Sequence, residues 1–297
     1  MRSSPCDPLK KQGYQFFSER SSAAVKPCMW CKRSLKGGDK CYKHQFYGID
    51  SHRCVQMTPT LRCNHRCLFC WRSFEHETGD EEEISPAAIF DGVKALQKKA
   101  LSGYKVSQYV TKDRFSEALD PKHVAISLSG EPTLYSPLPE LIDLFNAGGY
   151  TTFLVSNGTR PEVLRKCRPF QKYVSLVAPD KETYGRICRP LEDSWEAVNE
   201  SIASLGSGRT AIRITLVEGH NDCNPEGYGR IIGESGATFV EVKGYMYLGY
   251  SRKRLERSNM PEHDFIKRFA EKIGASSGYQ ITGENPLSRV VCMEREG

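Results

Sequence analysis

The sequence lacks a membrane-length apolar run: none of its hydrophobic stretches reaches the ~20 residues that a spanning helix requires. The segment from Met1 to Glu19 has no apolar core and no small-residue cleavage site, so no secretory leader is expected. No membrane partner is expected either, and the cytoplasm is the expected compartment. There is no internal repeat and no low-complexity tract, which excludes a solenoid or a linker-like chain. Charge of one sign is also modest. Lys plus Arg number 42 against 36 Asp plus Glu, a net +6, which does not by itself establish a nucleic-acid partner. With 39% hydrophobic and 26% charged residues, the 297-residue chain has the composition of a folded globular protein, not a disordered one.

Cysteine is plentiful: there are twelve, seven of them between Cys28 and Cys70. A cytosolic chain rarely spends cysteine on disulfides, so this density points to metal. From Val55 onward, short β-branched runs alternate with amphipathic stretches. Strands are predicted at Val55–Thr60, His123–Leu128, Thr151–Val155, Tyr173–Val177, Ala211–Val217 and Thr238–Val242. Helices are predicted from Ser85-Pro86 to about Lys99, at Ser136–Asn146, Thr183–Leu205 and Glu226–Glu234, and at Pro261–Ile273 with a stop at Gly274. Two short strands are expected in Gly278–Met293. The alternation argues for parallel βαβ units in a curved sheet or partial barrel, with chemistry at the C-terminal strand ends. Residues 1–56 read as a cysteine-rich extension of loops and short helices, and residues 57–297 as one integrated core.

Immediately after the first predicted core strand comes Cys63-Asn-His-Arg-Cys67-Leu-Phe-Cys70-Trp71, a C-x3-C-x2-C loop. Three thiolates on one cubane leave one iron without a protein ligand, open to a cofactor or substrate. The competing reading is a zinc knuckle completed by His65 or His76. The C-x3-C-x2-C spacing, with Phe69 before its last cysteine, resembles the radical S-adenosylmethionine superfamily. That resemblance implies an α/β partial (β/α)6 barrel with an N-terminal cysteine-rich extension, and a [4Fe-4S] cluster on Cys63, Cys67 and Cys70. The open iron would bind S-adenosylmethionine and yield a 5′-deoxyadenosyl radical. It further implies cofactor contacts at Phe69, in the Gly-Gly-Glu-like loop Ser129-Gly130-Glu131, in Ser156-Asn157, at Thr215 and at Tyr245.

Upstream, Cys28, Cys41 and Cys54 are spaced thirteen residues apart, and Cys31 forms C-x2-C with Cys28. From the residues alone, either a second open-iron cluster or a zinc site on all four thiols is possible. The C-x12-C-x12-C spacing, Cys41-Tyr42-Lys43, Cys67-Leu-Phe-Cys70-Trp71-Arg72, Arg189-Pro190 and Gly249-Tyr-Ser-Arg252 together resemble the tRNA 4-demethylwyosine synthase family, in its form without a flavodoxin domain. The resemblance runs from Lys26 to about Pro261. It implies a second [4Fe-4S] cluster on Cys28, Cys41 and Cys54, with pyruvate at its open iron and Lys43 forming a Schiff base with the ketone. It implies joining two carbons of pyruvate to N1-methylguanosine in the anticodon loop of phenylalanine tRNA. A separate flavodoxin or ferredoxin would supply electrons, and a monomer is expected.

The remaining thiols, Cys6, Cys167, Cys188, Cys223 and Cys292, are expected to be free, and Cys31 spare. Asp180 either caps a helix or serves as a pocket acid. Basic residues interleaved with aromatics, at Lys32–Lys43 and Tyr245–Arg257, suit phosphates with unstacked bases. Two other functions stay open: a radical enzyme acting on a protein or small molecule, and a non-enzymatic zinc module that binds RNA.

Overall fold

The computed structural model describes residues 7–74, 82–206 and 208–295. Cys6 and His76 lie outside them. By contact the chain falls into two compact units. The first takes its described residues from 7–62, 82–155 and 166–170; the second takes 63–74, 156–165 and 171–295.

The first unit carries β1 (Gln15–Phe16), β2 (Ala24–Val25), β3 (Cys54–Thr58), β4 (His123–Ile126) and β5 (Thr151–Ser156), adjacent in that order. β1 to β3 pair antiparallel, while β3, β4 and β5 run parallel. The register Cys54↔His123↔Thr151 aligns the starts of the three parallel strands, so their carboxyl ends lie on the same side of the sheet. Helix Pro86–Leu101 starts as its sequence predicts, with Ser85 Oγ accepting the Ala88 N–H at 3.3 Å and proline in the first turn. Its buried residues Ile89, Val93, Gln97 and Leu101 recur every fourth position, the stripe that one helix face presents to a sheet. Helix Leu138–Ala147 packs against it through Phe145 and Phe90, ring centroids 5.7 Å apart.

In the second unit β6 (Gln171–Ser175), β7 (Thr210–Leu216) and β8 (Phe239–Gly244) are parallel. β10 (Val290–Arg295) pairs antiparallel with β8, and β9 (Tyr279–Asn285) flanks β10. Helices Lys181–Cys188, Trp195–Ala203, Pro225–Ser235 and His263–Ser277 connect these strands.

All six predicted core strands form, with ends shifted by one or two residues. The single helix expected over Thr183–Leu205 is instead two. Arg189 takes a left-handed conformation (φ 45°) as the first helix's C-cap, and Pro190 follows, with no N–H to continue the ladder. The last helix runs past Gly274 and stops at Gly278, which adopts the left-handed cap. Strands β1 and β2 and helix Lys112–Leu119 have no counterpart in the sequence reading, being too short for their periodicity to show.

Asn221 ties strand ends together. Its amide donates to the carbonyls of Val177 (2.8 Å) and Thr215 (2.9 Å), and its Oδ1 accepts the Val217 N–H at 2.7 Å. The side chain is completely buried, so water cannot replace it. Asn221→Leu is expected to cost about 3 kcal/mol of stability by leaving these groups without that partner. Urea unfolding of the two proteins checks this, and equal midpoints with equal slopes would contradict it.

Candidate radical and cluster sites

Cys63, Cys67 and Cys70 sit in one loop of the second unit, each thiol-bearing residue partly exposed, with Phe69 half-buried between them. The loop is shaped by pairing with the break that follows Cys188. Arg66 N–H donates to the Cys188 carbonyl at 2.9 Å, Leu68 N–H to Ile187 at 2.9 Å, and Leu191 N–H to Asn64 at 2.9 Å. His65 and Pro190 form an antiparallel bridge across the same seam. The His65 ring is buried and its Nε2 meets the Tyr184 hydroxyl at 2.8 Å; burial pushes its pKa down to about 4, leaving the imidazole neutral.

Asn157 and Thr159 brace the loop from the end of β5. Asn157 Nδ2 donates to Asn64 Oδ1 at 2.9 Å, while Asn64 Nδ2 donates to Thr159 Oγ1 at 2.8 Å. Ser156 Oγ accepts the Gly158 N–H at 3.1 Å and shapes the same turn. The side chain of Asn157 thus holds the cysteine loop. Tyr245 is likewise buried, its hydroxyl 2.8 Å from Ser251 Oγ, so its ring packs within the protein. Thr215 is half-buried on β7, its carbonyl bound by Asn221.

Ser129, Gly130 and Glu131 follow β4 in the first unit. Gly130 has φ +78°, and a Cβ there would overlap the Thr60 carbonyl oxygen and press on the carbonyl of Arg62, the residue before Cys63 in the chain. Only glycine fits so close to another backbone. Glu131 N–H donates to that Arg62 carbonyl at 2.7 Å, and its carboxylate accepts from Thr133 N–H and Oγ1. Ser129 Oγ is buried with no hydrogen-bond partner among the described residues, an orphaned polar atom in the loop expected to hold the cofactor's amino group.

The upstream cysteines assemble within the first unit. Cys28 precedes helix Met29–Leu35, Cys41 precedes helix Tyr42–Tyr47, and Cys54 opens β3. Burial pushes the Cys28 and Cys54 thiols up, opposed by the nearby Lys43 ammonium; each of Cys28 and Cys41 further raises Cys54. Cys31 is different. It is fully buried, its thiol donating to the His52 carbonyl at 3.9 Å. A single tetrahedral zinc would gather thiolates to roughly 3.8 Å of one another. Among the described residues, Cys28, Cys31, Cys41 and Cys54 do not bring three ligand atoms within 4.8 Å, the limit that His65, Cys67 and Cys188 do meet. Cys188, expected to be a spare thiol, lies against Cys67 and pushes that thiol well up. Only its place beside Arg189-Pro190 in the sequence could have hinted at this.

Lys43 is 8% exposed with its ammonium 4.3 Å from the Phe153 ring centroid, whereas Arg33, Lys36 and Lys40 of the same basic run are exposed. In the second run Arg252, Lys253 and Arg257 are exposed; Arg254 turns inward and donates to the carbonyls of Leu68, Cys70 and Arg72. Asp180 is the helix cap: its Oδ1 accepts the Thr183 N–H at 2.8 Å.

An α/β core with a three-thiol loop after its first parallel strand and a tight glycine turn after the second defines a radical S-adenosylmethionine enzyme. Residues 57–228 match the radical SAM superfamily and residues 234–295 match wyosine base formation. Tested against that cofactor set, the residues fit in each unit taken by itself: three cysteines on one loop in the second, and in the first the Gly130 approach and the buried Ser129 hydroxyl without a partner among the described residues. The chain is 44% identical to the S-adenosyl-L-methionine-dependent tRNA 4-demethylwyosine synthase of Pyrococcus horikoshii (97% of this chain, 87% of that one). It is 40% identical to the protein so named from Methanocaldococcus jannaschii (97% and 94%). A solved structure of TYW1 with a lysine-pyruvate adduct bound superposes with a TM-score of 0.89 at 38% identity (97% and 94%). The chain belongs to the tRNA 4-demethylwyosine synthase family, and its fold is the superfamily's α/β partial barrel.

Gly130→Ala imposes a left-handed backbone on a residue with a side chain and overlaps Thr60. It is expected to weaken S-adenosylmethionine binding by about tenfold or more, some 1.4 kcal/mol, while the protein keeps its iron. Equilibrium dialysis with labelled S-adenosylmethionine measures this, and wild-type affinity would contradict the assigned role.

Proposed function

We propose that this chain joins two carbons of pyruvate to N1-methylguanosine in the anticodon loop of phenylalanine tRNA, closing the third ring of wyosine with loss of the pyruvate carboxylate. In this reading Cys63, Cys67 and Cys70 hold one [4Fe-4S] cluster and Cys28, Cys41 and Cys54 a second. The first cluster with S-adenosylmethionine supplies, when bound, a carbon-centred radical that takes hydrogen from the N-methyl group. Ser129, Gly130 and Glu131 orient the cofactor's methionine end. The second thiol set presents pyruvate, an α-keto acid whose carboxylate and carbonyl oxygens can chelate one metal.

Lys43 carries this reading. It is the one buried lysine of its basic run, beside Cys28 and Cys54 and over an aromatic ring. A desolvated lysine amine is a nucleophile toward a ketone, forming an imine and releasing water. The lysine-pyruvate adduct in the similar solved structure is consistent with that chemistry in a relative. Electrons come from a separate flavodoxin or ferredoxin, and the enzyme works as a cytoplasmic monomer. No helix of the described residues is long and apolar enough to cross a membrane.

Two outcomes test the proposal. With pyruvate and borohydride, the wild-type chain should gain a stable adduct on Lys43, and Lys43→Ala should not; that variant should still cleave S-adenosylmethionine but lose ring closure. Equal adduct yield, or full ring closure, in Lys43→Ala contradicts the assignment. For tRNA, neutralising Arg252, Lys253 and Arg257 should flatten the salt dependence of binding by about 0.7 for each phosphate that is no longer neutralised. An unchanged slope, measured by filter binding across salt, places the tRNA elsewhere.

A further inference from the structure

Arg254 stands in a run that reads as a basic, RNA-facing surface, yet it is spent inside the protein. Its Nε donates to the Leu68 carbonyl at 3.2 Å, and one terminal nitrogen donates to the carbonyls of Cys70 and of Arg72, the latter at 3.3 Å. The guanidinium also lies 4.2 Å from the centroid of the Phe74 ring. Three alternate carbonyls of the stretch that bears Cys67 and Cys70 thus converge on one cation. The turn carrying Arg254 grips the same stretch a second time. Tyr250 N–H donates to the Trp71 carbonyl at 2.9 Å, and Gly249, at φ +56°, has no room for a Cβ against that carbonyl. The flanking basic residues Arg252, Lys253 and Arg257 are exposed and make no such contact with the loop. A planar guanidinium can hold several carbonyls at once in fixed directions, which a lysine ammonium on a flexible stem cannot.

We infer that Arg254 is a positioning residue for the iron–sulfur cluster: its fork fixes the backbone between Cys67 and Cys70, and its charge stabilises the reduced state. The inference rests on the reading of Cys63, Cys67 and Cys70 as the cluster ligands. The electrostatics follow from charge bookkeeping. One-electron reduction adds a negative charge to the cluster, and a fixed cation held against its loop favours that form.

The test uses the full chain, reconstituted without oxygen as wild type, Arg254→Gln, Arg254→Lys and Cys63→Ala. Each is titrated with dithionite while the S-adenosylmethionine-responsive paramagnetic signal is followed. Arg254→Gln is expected to shift the reduced-to-oxidised ratio at a fixed potential about tenfold toward oxidised, ~59 mV for a one-electron couple. Arg254→Lys keeps the charge and should recover at least half of that shift on the logarithmic scale, with a broadened signal from the looser loop. If Arg254→Gln fails to load iron, Arg254→Lys decides: a loaded cluster near the wild-type potential supports the inference. A wild-type potential in loaded Arg254→Gln overturns it, as does Arg254→Lys behaving no better than Arg254→Gln or failing to load. Loss of the responsive signal in Cys63→Ala keeps these outcomes about Arg254. A signal that survives there shows instead that the ligand assignment itself is wrong.

Discussion

The short backbone seam between residues 64–68 and 187–191 is the constraint on which the first site depends. A three-thiol loop has little secondary structure of its own, and loops without hydrogen-bond partners do not hold side chains in place. Here Arg66, Leu68 and Leu191 supply the N–H groups and Cys188, Ile187 and Asn64 the carbonyls, as if two strands had been shortened to their minimum. The seam requires the chain to leave helical geometry at Arg189, and Pro190 makes that exit irreversible. The helix break and the cysteine loop are therefore one feature. Asn64 with Asn157 and Thr159, His65 with Tyr184, and Arg254 with three carbonyls then fix the loop from other sides.

The second thiol set is built on a different plan. Its cysteines come from two helix starts and a strand start, so each thiol is aimed by a separate element. Cys31, on the helix that Cys28 begins, points into the core and bonds to His52. The C-x2-C pair that reads as a zinc half-site is therefore split between a half-buried residue and a fully buried one. Lys43 joins the set because it lies in the first turn of the helix after Cys41, which carries its ammonium inward over Phe153 and away from the solvated basic residues around it.

Much of this is legible in the residues. The parallel strands are β-branched runs bounded by turn residues, and their order and extent survive in the fold nearly unchanged. The density of cysteine before residue 71 is legible as a sign of metal, while the division into two thiol triads comes from the family resemblance. What escapes is information carried by direction. Arg254 and Arg252 look alike in a sequence, but a turn fixed by Gly249 sends one inward and leaves the other exposed. Beyond its place beside Arg189-Pro190, Cys188 gives no sign that it will meet Cys67, because the pairing is made by a seam spanning more than a hundred residues. Asn157 and Tyr245, expected as cofactor contacts, also bond to Asn64 and Ser251, partners that periodicity cannot reveal.

In the proposed function, one chain holds two iron–sulfur clusters, each on its own thiol triad. Iron, sulfide and zinc per chain, measured after anaerobic reconstitution of wild type, Cys63→Ala and Cys28→Ala, test it most directly. Roughly eight irons and no zinc are expected in the wild type, falling to about four in either variant. About four irons with one zinc in the wild type, lost as zinc in Cys28→Ala, would contradict it.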